Sequence, residues 1–133
     1  MRLTVHVDGG ARGNPGPAAI AAVLSDADGQ VIDEASETIG RATNNVAEYR
    51  ALIMGIERAQ ALGATELELV GDSELVVKQV RGEYRVKDAG LKPLHSAAQN
   101  ALGGFAEWTI RHVKRERNAE ADALVNQALD AEH

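Results

Sequence analysis

Four carboxylates in this sequence occupy positions from which the ends of a sheet can bring them together. Asp8 closes an alternating apolar stretch, and Asp72 follows another one in "LVGDS". Glu48 lies in the first turns of a helical pattern after "TNN", and Asp122 lies in the first turns of the last helical pattern, in "NAEAD". Since each acid stands at a strand terminus or a helix beginning, all four can gather at one end of a sheet.

Such a cluster predicts a particular chemistry. Converging carboxylates repel each other, which raises their pKa values unless cations bind. Carboxylate oxygens without His or Cys are ligands that suit Mg²⁺ or Mn²⁺. Two such ions about 4 Å apart can hold the attacking and leaving oxygens of a phosphodiester. Any one of these acids alone is explained as well by a turn or a helix cap, so the metal hypothesis depends on the whole set.

The apolar periodicity of the first forty residues predicts three strands. Residues 2–8 alternate, "AAIAAVLSD" is almost wholly apolar, and "VIDEASETI" alternates less cleanly. The Asp-Gly of "DADGQ" indicates a hairpin turn between the second and third strands, and "GARGNPGP" indicates a turn between the first two. Short turns between consecutive strands predict an antiparallel meander.

Helical and strand patterns alternate in the rest of the chain. Helical spacing runs from Asn44 to Leu62, where Asn44 or Asn45 can cap the helix and Gly63 can end it. The remaining predicted elements are a strand in "TELELVGDS", a helix in "ELVVKQVRG" capped by Asp72 or Ser73, a helix in "DAGLKPLHSAAQNALGG", a strand in "FAEWTIRHV" and a helix in "NAEADALVNQALDAEH". This order predicts one α/β domain over residues 1–133, with a mixed sheet and helices packed on it.

Composition limits the classes of protein that this chain can represent. Hydrophobic residues make up 44% of the 133 residues but aromatics only 3%, so Ala, Val, Leu and Ile must build the core, and Phe105 and Trp108 are expected to join it from the last strand. Cysteine is absent, which excludes disulfides and thiolate metal sites. No apolar run approaches the roughly 20 residues that span a bilayer, and no signal-peptide pattern begins the chain. We therefore expect a cytoplasmic monomer without membrane contacts.

Five stretches, in order, carry a family resemblance. They are "DGGARGNPGPAA" at 8–19, "TNNVAEYRAL" at 43–52, "GDSELVVKQV" at 71–80, "GEYRVK" at 82–87 and "NAEADALVNQAL" at 118–129. Together they closely resemble the type I ribonuclease H family, whose members hydrolyse the RNA strand of RNA–DNA hybrids. The resemblance covers nearly the whole chain. It implies the ribonuclease H-like fold, a five-stranded mixed sheet whose first three strands are antiparallel, with helices on both faces.

The resemblance also implies roles for individual residues. In this family, catalytic carboxylates hold two Mg²⁺ or Mn²⁺ ions, and the matching residues here are Asp8, Glu48, Asp72 and Asp122. A metal-activated water attacks the phosphorus in these enzymes, and hydrolysis produces 5′-phosphate and 3′-hydroxyl ends. Amides and hydroxyls near them can distinguish RNA from DNA through the 2′-hydroxyl, and Gly9 and Gly10 can leave room for a nucleic-acid backbone. The implied substrate contacts are Gly9, Gly10, Asn14, Thr43, Asn44, Asn45, Glu74 and Arg115. Asn14 can also shape its turn and Asn44 can also cap its helix, and these roles can hold together with substrate contacts.

The chain departs from the family pattern in two places. Many members carry a loop histidine before the last carboxylate, and here the matching position holds Glu116 in a short loop. Some members also carry a basic protrusion, for which "GEYRVKDAGLKPL" leaves no room. With a net charge of −6, we expect slower cleavage and weaker, more salt-sensitive hybrid binding than in members that have both features.

Three functions remain open at this point. The first is a metal-dependent endoribonuclease that acts on RNA–DNA hybrids. The second is the same fold directed at duplex RNA or RNA–DNA junctions. The third is a noncatalytic module that binds hybrids without cleaving them. Cleavage of matched hybrid, duplex RNA and duplex DNA distinguishes the first two, and the third predicts hybrid binding without cleavage at any Mg²⁺ or Mn²⁺ concentration.

Overall fold

The computed structural model describes residues 1–131, which form a five-stranded sheet and four α-helices. The elements are β1 (Arg2–Ala11), β2 (Gly16–Ser25), β3 (Val31–Ala42), α1 (Asn44–Ala61), β4 (Glu66–Gly71), α2 (Glu74–Val80), α3 (Lys92–Leu102), β5 (Glu107–His112), a 3-10 turn (Arg115–Asn118) and α4 (Ala119–Ala131). Among these residues, no helix combines the length and the apolar composition that crossing a bilayer requires.

The sheet has the strand order β3-β2-β1-β4-β5, which puts β1 at its centre. β1 and β3 both pair antiparallel with β2, because short turns connect these three strands. β4 pairs parallel with β1, and β5 pairs parallel with β4. Parallel neighbours need long crossovers, and α1 together with α2 and α3 supply them. The predicted mixed sheet with an antiparallel first half is confirmed.

Helices cover both faces of the sheet, as predicted. On one face, Leu3, Val5 and Val7 of β1 point into a core shared with α1, α2 and α3. On the other face, a smaller cluster joins β2 to α4, and its buried members are Ala19, Ala21, Val125 and Leu129. The core is aliphatic, as the composition requires. Phe105 is buried but lies just before β5 rather than on it, which corrects its predicted placement.

Two predicted boundaries differ from the structure for tertiary reasons. β1 does not end at Asp8 but continues to Ala11, because β2 still offers antiparallel partners to residues 8–11 after the pairing with β4 has stopped. The N-terminus of α1 is capped by Thr43, whose Oγ1 accepts a hydrogen bond from the Val46 N–H at 3.2 Å, and not by Asn44 or Asn45. The predicted end of α1 at Gly63 fits its positive φ of 87°.

Candidate active site

Three of the four predicted acids form a compact cluster. Asp8 lies on β1 one residue after the last pair with β4, Asp72 directly follows β4, and Glu48 lies in the second turn of α1. One carboxylate oxygen from each of these residues lies within 4.8 Å of the others. Asp8 is only 5% exposed and Glu48 only 9%. We refer to Asp8, Glu48 and Asp72 as the carboxylate cluster.

The contact between β1 and α1 fixes two members of the cluster. The Gly9 N–H donates a buried hydrogen bond of 3.0 Å to Oε1 of Glu48. A Cβ atom on Gly9 would collide with the carbonyl group of Ala47 and lie 2.7 Å from the Glu48 nitrogen. The missing side chain therefore makes room for α1. The predicted approach of a nucleic-acid backbone to Gly9 stays a prediction. Gly10 is different, because the nearest atom to its added Cβ would be Val125 Cγ1 at 3.6 Å, an ordinary contact.

Burial and mutual repulsion disfavour the charged forms of the cluster. Burial, followed by the charge of Asp72, raises the pKa of Asp8 to about 7. Burial and then the charge of Asp8 raise the pKa of Glu48 well above its ordinary value. Burial also raises the pKa of Asp72, whereas the positive charge of the Arg115 guanidinium lowers it. The surroundings do not neutralise all the negative charge of these hard oxygen ligands. Such a set is suited to divalent cations.

Asp122 lines the same cleft but stands outside the cluster. Its Oδ1 accepts hydrogen bonds from Nε and Nη2 of Arg115, at 3.3 and 3.2 Å, in an ion pair. Its other neighbour is Asn126, whose Nδ2 donates to the Asp122 backbone oxygen at 3.2 Å. Both partners belong to the same stretch of chain as Asp122. The structure thus brings the fourth acid to the cleft while an arginine neutralises it.

The predicted substrate residues Asn14, Thr43 and Asn44 hold the scaffold together. Oδ1 of Asn14 accepts a 3.1 Å hydrogen bond from the Asn44 N–H, and Oδ1 of Asn44 accepts one of 2.9 Å from the Ala11 N–H. These two bonds, which we call the asparagine brace, tie the β1–β2 turn to the first turn of α1. The predicted turn-shaping role of Asn14 agrees with this arrangement.

The remaining predicted contacts divide between the cleft and other surfaces. The cleft measures about 490 Å³, and its lining includes Gly9, Gly10, Asn44, Asn45, Arg115 and Asp122 together with the carboxylate cluster. Glu74 does not line it and forms an ion pair of 3.1 Å with Lys78 instead. Glu116, at the position of the family's loop histidine, lines a different cavity on the far side of the 3-10 turn. Direct contacts of these residues with a substrate stay predictions.

Sequence reasoning missed one buried polar residue beside the site. Asn118 is 2% exposed, and its Nδ2 donates a 2.8 Å hydrogen bond to the carbonyl oxygen of Val7, the residue before Asp8. In the sequence, Asn118 stands directly before a helical pattern, which is typical of a helix cap. The local pattern carries no signal for a bond between residues so far apart in the chain.

Comparisons with known proteins agree on one family. The family model described as "Reverse transcriptase-like" matches residues 6–128. Ribonuclease HI of Halobacterium salinarum is 49% identical over 129 residues, which are 97% of this chain and 65% of the relative. A Mycobacterium tuberculosis protein described as bifunctional is 48% identical over 132 residues, which are 98% of this chain but 36% of the relative. The chain thus spans about two thirds and about one third of these relatives.

Solved structures match the fold closely. The crystal structure of RNase H1 from Halobacterium salinarum superposes with a TM-score of 0.96 at 48% identity, covering 98% of this chain and 99% of that one. LC11-RNase H1, isolated from compost, was crystallised in complex with an RNA/DNA hybrid. That structure matches with a TM-score of 0.92 at 42% identity, and the match covers 97% of each chain.

Proposed function

This chain belongs to the ribonuclease H family, and on that premise we propose that it is an endoribonuclease that hydrolyses the RNA strand of RNA–DNA hybrids. The observation that carries the proposal is the carboxylate cluster, in which Asp8, Glu48 and Asp72 offer oxygens within 4.8 Å of one another. The names of the relatives, and the hybrid bound in the LC11-RNase H1 complex, support the choice of substrate.

The donor set of the cleft fits two Mg²⁺ or Mn²⁺ ions. All four acids supply hard oxygen ligands, and three of them have pKa values raised by burial and neighbouring acids, as expected of a site completed by cations. When bound, the two ions would activate the attacking water and stabilise the charge of the leaving oxygen. Hydrolysis of the phosphodiester would then produce 5′-phosphate and 3′-hydroxyl ends. The residues proposed to hold them are Asp8, Glu48, Asp72 and Asp122.

The chain's own groups set where these ligands stand. Gly9 holds the Glu48 carboxylate through its N–H, so that Glu48 reaches the cluster in one fixed orientation. Thr43 caps α1 and thereby fixes the turn that precedes Glu48. The asparagine brace holds the β1–β2 turn against the same helix end. These contacts preorganise the ligands, so that little rearrangement is needed when the substrate arrives.

The rim of the cleft presents groups suited to a sugar-phosphate backbone. Arg115 is largely exposed, with 75% of its side chain accessible. Its guanidinium can leave Asp122 and pair with a phosphate oxygen once cations neutralise that acid. Asn45 is exposed at the cleft and offers an amide that can bind a 2′-hydroxyl. With a net charge of −6, binding is expected to be weak.

One assay tests the proposal directly. A labelled RNA–DNA hybrid, duplex RNA and duplex DNA are each incubated with the protein over a range of Mg²⁺ and Mn²⁺ concentrations, beside the Asp72→Asn variant. Metal-dependent cleavage of the hybrid's RNA strand that the variant lacks would support the proposal. Equal cleavage of duplex RNA would favour the broader substrate, and hybrid binding without any cleavage would favour the noncatalytic module.

A further inference from the structure

Asn118 connects the strand that carries Asp8 to the segment that carries Asp122. It lies at the end of the 3-10 turn, directly before α4. Its Nδ2 donates a 2.8 Å hydrogen bond to the carbonyl oxygen of Val7, across 111 positions of the chain. The residue is 2% exposed, so the bond is shielded from water. Such a bond fixes the start of α4 relative to the centre of the sheet.

An asparagine directly before a helix ordinarily caps it, but the side-chain oxygen of Asn118 does not. A capping asparagine accepts a hydrogen bond through Oδ1 from a backbone N–H two or three residues further along. Here Oδ1 of Asn118 is buried and has no hydrogen-bond partner among residues 1–131. The side chain therefore acts through its N–H donor and does not cap α4.

The carbonyl that Asn118 binds lies at a break in the sheet. Val7 is the last β1 residue that pairs with β4, through the register partner Gly71. β4 ends at Gly71, and the residues that follow Val7 and Gly71, Asp8 and Asp72, contribute to the cluster. The carbonyl oxygen of Val7 belongs to the same rigid peptide unit as the nitrogen of Asp8. Holding this unit therefore also orients the backbone of Asp8.

Stability alone is a poor explanation for the asparagine. Its N–H satisfies the carbonyl of Val7, but its own Oδ1 remains buried without a donor. A leucine has as many side-chain heavy atoms; it would remove the donor that the Val7 carbonyl binds and would bring no orphan oxygen of its own. The protein with asparagine and a variant with leucine at this position would each leave one buried acceptor unsatisfied. Their free energies of unfolding should therefore be similar. What the asparagine adds is a directional link.

Asp122 depends on that link more than the other acids do. Its polar partners, Arg115 and Asn126, both belong to the segment around α4 and not to the sheet. Apolar packing of Val125 and Leu129 against β2 holds the helix on the sheet, but such contacts are not directional. The bond from Asn118 to β1 is directional and lies one helical turn from Asp122.

We infer that Asn118 is a positioning residue for metal binding, which sets Asp122 against the carboxylate cluster so that four acids act as one ligand set. The inference rests on the proposed function, because it assumes that the cleft binds divalent cations. Asn118 is buried and does not line the cleft. It acts through the peptide unit before Asp8 and through the first turn of α4.

The test compares two Asn118 variants with a packing control. Asn118→Leu keeps the number and branching of side-chain heavy atoms but removes the donor. Asn118→Ala removes most of the side chain, and Leu129→Ala weakens the packing of α4 while leaving the bond to Val7 intact. Mn²⁺ binding is measured by titration calorimetry without nucleic acid, stability by urea unfolding, and hybrid cleavage as kcat and KM. Both Asn118 variants should bind Mn²⁺ about tenfold or more weakly, and kcat should fall while KM changes little.

The control separates positioning from folding. Leu129→Ala should lose stability and keep the Mn²⁺ affinity of the wild type. The inference is overturned if Asn118→Leu binds Mn²⁺ as tightly as Leu129→Ala does. It is also overturned if both Asn118 variants fail to fold while Leu129→Ala folds, because Asn118 would then be a structural residue. A wild-type protein that neither binds Mn²⁺ nor cleaves hybrid would contradict the proposed function itself.

Discussion

The backbone N–H of Gly9 donates a 3.0 Å hydrogen bond to the Glu48 carboxylate in the interface between β1 and α1. Gly9 directly follows Asp8, so this bond connects the backbone next to Asp8 with the side chain of Glu48. It forms only because α1 approaches the strand so closely that the Ala47 carbonyl fills the space of a Gly9 side chain. A glycine is therefore part of what assembles the cluster.

Substitution of the two neighbouring glycines should have unequal effects. Gly9→Ala places a methyl group against the backbone of Ala47, so α1 must shift. We expect this variant to lose about 2–4 kcal/mol of unfolding free energy and to lose Mn²⁺ affinity. Gly10→Ala meets only an ordinary contact at 3.6 Å, and its stability should change by less than about 1 kcal/mol. Urea unfolding of both variants checks this, and equal losses would contradict the packing role of Gly9.

The metal-free protein should become less stable as pH rises. The pKa of Asp8 is about 7 in the folded protein against an ordinary 3.8, so the folded state holds this proton more tightly than the unfolded state does. Stability from this group is complete below the ordinary value and is lost as pH rises toward 7. Asp8→Asn should therefore be more stable than wild type at pH 8 by about 1–3 kcal/mol. Urea unfolding in EDTA at pH 5.5 and pH 8 measures the difference.

The comparison with Asp8→Asn isolates this group from other titrations. His6 shifts in the direction that opposes the trend, because burial lowers its pKa and its contribution weakens as pH falls. It is present in both proteins and cancels in their difference. Saturating Mn²⁺ should restore the stability of the wild type at pH 8, by about 2.7 kcal/mol at a hundredfold excess over Kd. A variant that is no more stable than wild type at pH 8 would contradict the predicted repulsion.

Removing the Arg115 guanidinium should strengthen cation binding. Arg115 neutralises Asp122 and lowers the charge repulsion felt by Asp72. Arg115→Gln should therefore bind Mn²⁺ several-fold more tightly, because the cation no longer competes with the guanidinium. The exposed ion pair contributes at most about 1 kcal/mol to stability. If Arg115 also contacts a phosphate, hybrid affinity should fall at the same time.

A neighbouring arginine provides the control for this change. Arg117 lies in the same 3-10 turn but lines the cavity on the other side of it. Arg117→Gln removes the same charge and should leave Mn²⁺ affinity near that of the wild type. Calorimetry on both variants at one ionic strength compares them. Matching gains in affinity would mean that net charge alone, and not the ion pair with Asp122, determines the effect.

Loss of the asparagine brace should weaken substrate binding more than catalysis. Asn14→Ala removes the acceptor for the Asn44 N–H and should lower stability by about 0.5–1.5 kcal/mol. One of the two bonds that tie the β1–β2 turn to α1 is then lost and the other, from the Ala11 N–H to Asn44, remains. KM for hybrid should therefore rise while kcat changes little. Asp26→Ala is a matched control, since Asp26 Oδ1 accepts two backbone N–H bonds in the β2–β3 turn, away from the cleft. A similar rise in KM for the control would refute a specific role of the brace.

Local patterns predict the order of the elements and the places of the four acids, because both depend on periodicity and on strand and helix ends. They fail where a distant partner decides the outcome. The stretch "GARGNPGP" predicts a turn that begins at Gly10, but Gly10 and Ala11 still pair with β2. Asn44 suggests a helix cap, but its side chain binds the Ala11 N–H, and Thr43 caps the helix instead.

The geometry of the site is less predictable than its membership. Asp122 pairs with Arg115 while the other three acids form a cluster. This difference follows from how α4 packs on the sheet, which a short sequence motif does not predict. The role of Asn118 depends on a bond to Val7 at the opposite end of the chain. The resemblance to the ribonuclease H family carries the acids as a set, but not the contacts that hold them in place.

The central position of β1 has a consequence for synthesis of the protein on the ribosome. β1, β2 and β3 leave the exit tunnel first and can form their antiparallel half, while the other edge of β1 must wait for β4. Asp122 emerges later still, with α4. A nascent chain that has not yet released this helix is expected to lack the complete ligand set. Cation binding by all four acids is therefore expected to require that α4 has docked on the sheet.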